Sequence, residues 1–340
     1  MLNRIRTRLT NRIYEMPVLV LMPHSRCNCR CVMCDIWKAN SAKSEITVEE
    51  LEKHLSAFKR LKVKRVALSG GEALMHSNLW RFCDLLHSIG VKISLLSTGV
   101  TLAHHAKHVV THCDDVIVSL DGSKVIHNQI RNIPAAFEKL EEGVKAIKAI
   151  DHEFQVTGRT VVQSQNFRDL LNIIETAKVL GLDQISFLAA DVSSEAFNRS
   201  EPWREEKVSE VALDANEIIE LESILEKSFA DFKAEYDNKF IAESKSKMKE
   251  IAQYYRAMTE QSRFPERKCN APWVSAVIES DGNVLPCFFH KPYGNINNGS
   301  FMEIVNSKKA IDFRKKLNVK EDTTCKKCVC SLHVGITQQV

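Results

Sequence analysis

Eight residues near the N-terminus, Cys27-Asn28-Cys29-Arg30-Cys31-Val32-Met33-Cys34, hold four cysteines, and Cys27, Cys31 and Cys34 stand at the spacing C-x3-C-x2-C. Thiolates this close on one loop can wrap a cubic iron–sulfur cluster, whose four irons each need a ligand. Three cysteines leave one iron without protein sulfur, and an open metal position is what separates a catalytic site from a closed structural one. The competing reading is a zinc knuckle, with His24 or Cys29 as the fourth donor. Cys29, lying between the others, reads as a bystander. Disulfides are not expected, because eleven cysteines in a chain with no signal peptide read as reduced thiols.

A second group of cysteines repeats the theme. Cys269 is followed by twelve residues, Gly282, four more and Cys287, and Cys325-Lys326-Lys327-Cys328-Val329-Cys330 adds a C-x2-C pair. Trp273 to Ile278 reads as a strand and Val284-Leu285 as its return, with Asp281-Gly282 at the turn. Cys269, Cys287, Cys325 and Cys328 can close all four corners of a cluster, with Cys330 as a substitute for Cys328 or a spare. On spacing alone zinc competes evenly, since two cysteine pairs around a hairpin also build zinc ribbons.

Other polar residues stand at the ends of apolar runs. Val66-Ala67-Leu68 leads into Ser69-Gly70-Gly71-Glu72, where paired glycines let backbone approach a ligand and the carboxylate can accept from an ammonium. Ile93 to Leu96 leads into Ser97-Thr98-Gly99, and Val118-Ser119-Leu120-Asp121-Gly122 is followed by His127 and Arg131. Arg159 sits in a fifth run and offers a guanidinium for a fork-like contact with a carboxylate. His104, His108 and His112 share a helical face with His105 beside them; this reads as a solvated face rather than a zinc or nickel site.

The elements that must position these residues alternate. Strands are expected to begin near Val18, Arg65, Lys92, Asp115, Phe154 and Gln184, with amphipathic helices between them. Thr47 and Glu50 form a capping box stapled by Ile46 and Leu51, and Leu51, Leu55 and Phe58 face inward on the helix that follows. Six β/α units over about 190 residues give an α/β fold, a partial (β/α)6 barrel of TIM type with catalytic groups at the C-terminal strand ends. The expected divisions are a basic helix over 1–17, the partial barrel over 18–195, a helical bridging or lid segment over 196–263, and a small hairpin and helix module over 264–340. In the third of these, Ile218, Leu221, Leu225 and Phe229 make one apolar stripe, and Met248, Ile251 and Tyr255 another.

Composition bounds the function. With 340 residues, 44% hydrophobic and 26% charged, the chain reads as globular, and no run approaches the roughly 18 apolar residues of a membrane span. A net charge of +4 argues for no nucleic acid. The first 16 residues, with Arg4, Arg6, Arg8 and Arg12 among Leu2, Ile5, Leu9 and Ile13, read as a helix covering a barrel end; contact with an anionic membrane surface is the alternative. The cysteine usage places the chain in the cytoplasm.

The three N-terminal cysteines are similar to the signature of the radical S-adenosylmethionine (SAM) enzymes. That resemblance implies that the open iron chelates the amino and carboxylate groups of SAM, which is cleaved to methionine and a 5′-deoxyadenosyl radical that abstracts a substrate hydrogen. It implies a cofactor site formed by Met33, Gly70, Gly71, Glu72, Ser97, Ser119 and Arg159, with Glu72 on the SAM amino group and Ser119 and Arg159 on its carboxylate. The family aromatic before the last cysteine is Met33 here, the proline after Gly-Gly-Glu is Ala73, and Thr98 stands for a usual asparagine. The C-terminal group resembles an auxiliary-cluster module of the same enzymes, in the truncated twitch form of the SPASM domain. Four or five cysteines suffice for one cluster, and the chain ends ten residues after Cys330. The cofactors implied are SAM and two [4Fe-4S] clusters, with flavodoxin or ferredoxin as electron donor.

The expected activity is oxidation of a small molecule, the closed second cluster taking the substrate electron. Peptide or protein modification is the alternative; against it, the first strand begins near Val18 and leaves no room upstream for a peptide-binding domain. A zinc-rich scaffold without activity is the third reading, and no general acid or base is legible.

Overall fold

The apolar runs form strands, and the strands form one sheet. The computed structural model describes residues 1–338 and 340. Six parallel strands, β1 (Val18–Leu21), β2 (Arg65–Leu68), β3 (Lys92–Ser97), β4 (Asp115–Ser119), β5 (Gln155–Val162) and β6 (Gln184–Ala189), lie side by side in chain order. Each begins at or within one residue of the expected position. The sheet continues past β1: β7 (Ser275–Ile278) pairs with it in parallel, Val18 opposite Ser275, and β8 (Asn283–Leu285) and β9 (Gly294–Asn295) follow antiparallel. The full order is β6-β5-β4-β3-β2-β1-β7-β8-β9.

The N-terminal helix α1 (Leu2–Thr10) precedes the sheet. Between strands run α2 (Val48–Glu52), α3 (Leu55–Arg60), α4 (Leu79–Ser88), α5 (Leu102–His112), α6 (Lys124–Arg131), α7 (Ala136–Ile150) and α8 (Leu170–Val179). Thr47 and Glu50 make the reciprocal capping box that starts α2. The helix carrying Leu51, Leu55 and Phe58 is interrupted at Lys53–His54, where buried His54 accepts at Nδ1 from the Phe301 amide at 3.3 Å. Leu51 and Phe58 are buried as expected, while Leu55 is only half-buried.

Residues 196–263 supply α9 (Glu205–Val211), α10 (Ala215–Asp231), α11 (Lys233–Asp237) and α12 (Lys245–Met258). Both expected stripes are buried, but the helices pack along α8 and the outer edge of β6 rather than over the strand ends. Ile241 bridges Ile185, and the Glu243 carboxylate accepts from the Ser186 hydroxyl and the Phe187 amide, so the open edge of β6 is covered. The Tyr255 hydroxyl donates to Val162 O and accepts from Ala190 N, tying the ends of β5 and β6.

The chain's two ends meet. The Trp273 indole donates to Asn11 Oδ1 at 2.8 Å, and the buried Arg314 guanidinium donates to Asn11 O and Val305 O at 2.7 Å each. Asn306 exchanges hydrogen bonds with the backbone of Ile13. Gly282 turns the β7–β8 hairpin at φ 86°, in the left-handed region.

Glu279 closes β7. Burial, and then the Asp281 charge, push its carboxyl up to about 7 from 4.5. The folded state therefore holds this proton more tightly than the unfolded one, and stability falls as pH rises from about 4.5 through 7. Each pH unit across that window removes about 1.4 kcal/mol, so the full loss reaches about 3 kcal/mol. Glu279→Gln is expected to flatten that slope and raise stability at pH 8, read by urea unfolding across the window; an unchanged slope would discard the assignment.

Candidate functional site

The cysteine loop is gripped on two sides. On one, Glu72 N donates to Arg26 O at 2.9 Å, and Gly71 lies so close that a Cβ there would sit 2.1 Å from Arg26 O and 3.1 Å from Cys27 Cβ. Gly70 has φ 107°, which its neighbours could not share with a side chain. On the other, the last carbonyls of α6 accept from the loop: Arg30 N reaches Arg131 O and Val32 N reaches Ile130 O. Helix-terminal acceptors that lack intrahelical partners are thus used to hold the loop. Asn40 completes the grip, accepting from Cys27 N at 2.9 Å and donating to Cys27 O at 3.0 Å.

Under the loop lies a buried ion pair. The Arg131 guanidinium donates to Asp121 Oδ2 and, at 3.4 Å, to Cys31 Sγ. Asp121 also accepts from Val161 N at 3.0 Å, and the fully buried His127 accepts at Nδ1 from Asp121 N. Burial, and next the Arg131 charge, hold the His127 imidazole down to about 3, so it stays neutral.

Cys27, Cys31, Cys34 and Met33 line one cavity together with Gly70, Gly71, Ser97, Ser119 and Arg159. Strand alternation does the aiming: Ile117 and Ser119 on β4, and Arg159 and Val161 on β5, share the face that lines it. Burial pushes the Cys27 and Cys34 thiols up to about 12. Cys31 is held down to about 7, first by a hydrogen bond from Cys29, with the Arg131 charge lowering it further. Buried sulfurs of this kind give up their protons to a metal, and three sulfur donors with Arg131 beside one of them fit a cluster with an open corner. Cys29 is buried off the cavity, and His24 turns its Nδ1 to the Arg26 amide at 2.8 Å, so neither offers the fourth donor of a zinc knuckle.

Glu72 is placed differently from the expectation. It is fully buried and does not line the cavity; its carboxylate accepts from Ser97 Oγ, Thr98 N, Thr98 Oγ1 and Leu74 N. Of this motif, Ser69, Gly70 and Gly71 line the cavity. Glu72 instead ties the β3 turn to the β2 turn, because a carboxylate is the group that can satisfy several converging donors. Glu72→Ala is therefore expected to leave these donors unsatisfied, at about 1–3 kcal/mol each. The measurement is the melting temperature beside SAM affinity; weakened SAM binding at unchanged stability would restore Glu72 as a direct ligand.

Several contributors went unassigned at the sequence level. Arg131 and Thr98 line the cavity, and so do Asp191, Phe197 and Val329. The segment after β6 straps over the cysteine loop: Arg199 pairs with Asp191 at 2.8 Å, both side chains buried, and the Trp203 indole donates to Asp35 Oδ2 at 2.7 Å. The signal available was the concentration of Asp, Arg and Trp in an otherwise irregular stretch.

All five C-terminal cysteines, Cys269, Cys287, Cys325, Cys328 and Cys330, ring a second cavity of about 300 Å³. Asn270 laces this together, exchanging hydrogen bonds with Val334 while its own amide donates to Leu332 O. Burial pushes Cys287 up to about 12 and raises Cys325, Cys328 and Cys330 as well. His290 Nε2 lies 3.5 Å from Cys325 Sγ, and His290, Asp322 and Cys325 are a group that could hold a single ion at this corner. Five sulfurs around one space fit a closed cluster with a donor to spare. Arg159 lines both cavities, and its Nε is buried without a partner.

The comparisons agree with this arrangement. Residues 21–177 match the radical SAM superfamily model, and residues 269–329 match the SPASM model, an iron–sulfur cluster-binding domain. Antilisterial bacteriocin subtilosin biosynthesis protein AlbA of Bacillus subtilis is 23% identical over 289 residues, 83% of this chain and 58% of that protein. AdoMet-dependent heme synthase of Methanosarcina barkeri is 26% identical over 159 residues, 46% of this chain and 45% of that one. The chain thus spans about half the length of these curated relatives. The fold is similar to that of Streptococcus suis SuiB bound to S-adenosylmethionine (TM-score 0.66, 12% identity, 96% of this chain and 75% of that one). It is also similar to that of anSMEcpe with bound AdoMet and a peptide (TM-score 0.59, 20% identity, 91% and 87%). With its cysteines ringing two cavities and both models matched, the chain carries a radical SAM domain and a SPASM iron–sulfur cluster-binding domain, whose cofactors are SAM and two [4Fe-4S] clusters.

Proposed function

We propose that this enzyme oxidises a peptide by hydrogen abstraction, its C-terminal cluster taking up the substrate electron. The observation that carries this reading is the meeting of the two cysteine-ringed cavities at Arg159, with Val329 between Cys328 and Cys330 reaching the first. Bound there, SAM and the N-terminal cluster on Cys27, Cys31 and Cys34 supply a 5′-deoxyadenosyl radical, and the cluster on four of the C-terminal cysteines supplies an acceptor.

The chain's own residues bind, orient and shield. Backbone at Gly70 and Gly71 meets the SAM amino group, while Ser97, Ser119 and Arg159 offer hydroxyls and a guanidinium to its polar end. Met33, Leu96, Ile117, Val161 and Leu188 give the cavity apolar walls that keep water from the reacting carbon. Four of the C-terminal cysteines would hold the cluster that could take one electron from a substrate already short of a hydrogen atom, with one proton released to solvent, a net two-electron oxidation. A flavodoxin- or ferredoxin-like donor in the cytoplasm supplies the priming electron.

A peptide suits the cleft that adjoins the cavity at Asp191. Ser193, Ser194, Glu195, Lys291, Thr324 and Lys327 line this polar space of about 330 Å³, which offers donors and acceptors to a peptide backbone. AlbA, the curated relative that covers most of this chain among those described, serves bacteriocin biosynthesis, which supports the same substrate class.

The test is anaerobic reconstitution. The parent is expected to carry about eight irons and the double variant Cys287→Ala with Cys330→Ala, which leaves three of the five sulfurs, about four. That variant should cleave SAM without substrate as the parent does, yet yield little oxidised product. Normal turnover would make the second cluster structural, and tight zinc with negligible iron would overturn the whole reading. Deuterium transfer into 5′-deoxyadenosine from labelled peptides, set against labelled small metabolites, decides the substrate class.

A further inference from the structure

A further cavity, of about 450 Å³, lies between α1, the segment 267–274, residues 319–320 and residues 333–336, with Cys269 in its lining. Arg4, Arg8, Arg267, Lys268, Lys320 and His333 line it, and no carboxylate does. Three of these cations are matched from outside: Arg4 by Glu15 at 2.7 Å, Arg267 by Glu250 at 2.9 Å and Lys320 by Glu266 at 3.1 Å. Arg8 and Lys268 have no carboxylate within 4.0 Å among the described residues, so two positive charges face the cavity uncompensated. His333 feels both of them. Arg267, its side chain nine-tenths buried, has no partner for Nε among the described residues. Trp273, Val274, Val334 and Ile336 form an apolar wall.

We propose that this cavity binds a phosphate-bearing anion with an apolar body. Two unmatched cations call for a dianion, and guanidinium and ammonium groups converging from separate segments suit a tetrahedral oxyanion. The apolar wall takes the organic part, in the pattern of small-ligand pockets. Offsetting the charge of the neighbouring cluster does not explain Arg8, which comes from α1 and not from a cysteine-bearing segment. The phosphate has two possible sources. One is a soluble phosphate ester. The other is a lipid headgroup, since Leu2 and Leu9 on α1 are 77% and 79% exposed.

Reconstituted full-length enzyme would be titrated calorimetrically with inorganic phosphate and glycerol 3-phosphate. In parallel it would be sedimented with vesicles of pure phosphatidylglycerol and of pure phosphatidylcholine. The variants are Arg8→Glu, on an exposed helix position that touches no cysteine, and Arg8→Glu with Lys268→Glu, each checked for full iron content. Binding of the soluble esters that weakens at least about ten-fold in both variants establishes the site with a free ligand. Binding to phosphatidylglycerol vesicles alone, lost in both variants, establishes it with a headgroup. A parent that binds neither probe, or variants that bind as the parent does, overturns the proposal.

Discussion

Gly71→Ala is expected to empty the N-terminal cluster site while the C-terminal one stays filled, so that iron drops from about eight to about four per chain and SAM cleavage falls to background. The added methyl would lie 2.1 Å from the Arg26 carbonyl oxygen and 2.6 Å from its carbon, where contacts below 3.0 Å are essentially never seen. Both obstructing atoms are backbone, one residue before Cys27, so no side chain can swing aside. Overpacking of this kind typically costs about 1–3 kcal/mol, and here it is relieved by displacing the loop that carries the sulfurs. Gly299→Ala is the control: its added methyl meets only Glu303 Oε2 at 3.8 Å, and it should retain both clusters. Eight irons in Gly71→Ala would show that the loop tolerates displacement.

Arg131→Met should lose both stability and the N-terminal cluster. The methionine leaves the fully buried Asp121 carboxylate facing only the Val161 amide, and breaking one side of a buried pair costs about 3–5 kcal/mol. It also removes the cation that touches Cys31 Sγ. Adding Asp121→Asn should recover part of the stability, read by denaturant unfolding, but not the iron. A single variant within about 1 kcal/mol of the parent would mean that water replaces the guanidinium and the pair is not structural.

The strand starts were legible because short runs rich in Val, Ile and Leu, such as Val18–Leu21 and Asp115–Ser119, are separated by amphipathic helices. The sulfurs were legible because their spacing is local. Less local facts were not. Glu72 looks like a ligand wherever Gly-Gly-Glu is written, and only the fold shows Ser97 and Thr98 closing on it from the next strand. Asp121 and Arg131 are ten residues apart, outside any helical pairing rule, and become partners because α6 folds back under the cysteine loop. The pairing of β7 with β1 has no local signal at all, since parallel neighbours need no turn between them. Spacing leaves Cys330 as a substitute for Cys328 or a spare, and in the fold it lines the second cavity with the other four while Val329 lines the first.

That distant pairing has a consequence for how the protein is made. Val18 and Ser275 stand about 250 residues apart, yet they are neighbours in the sheet. At a synthesis rate of roughly 5–20 residues per second, β1 emerges from the ribosome some tens of seconds before its second partner exists. For that time Val18–Leu21, apolar and untwisted by any bulge, presents an unpaired edge of the sort that recruits other chains. The nascent barrel is thus exposed to misassociation at the strand that leads into its cluster loop. Slow codons or a chaperone acting before residue 275 would alter the yield of folded enzyme more than any change made after it.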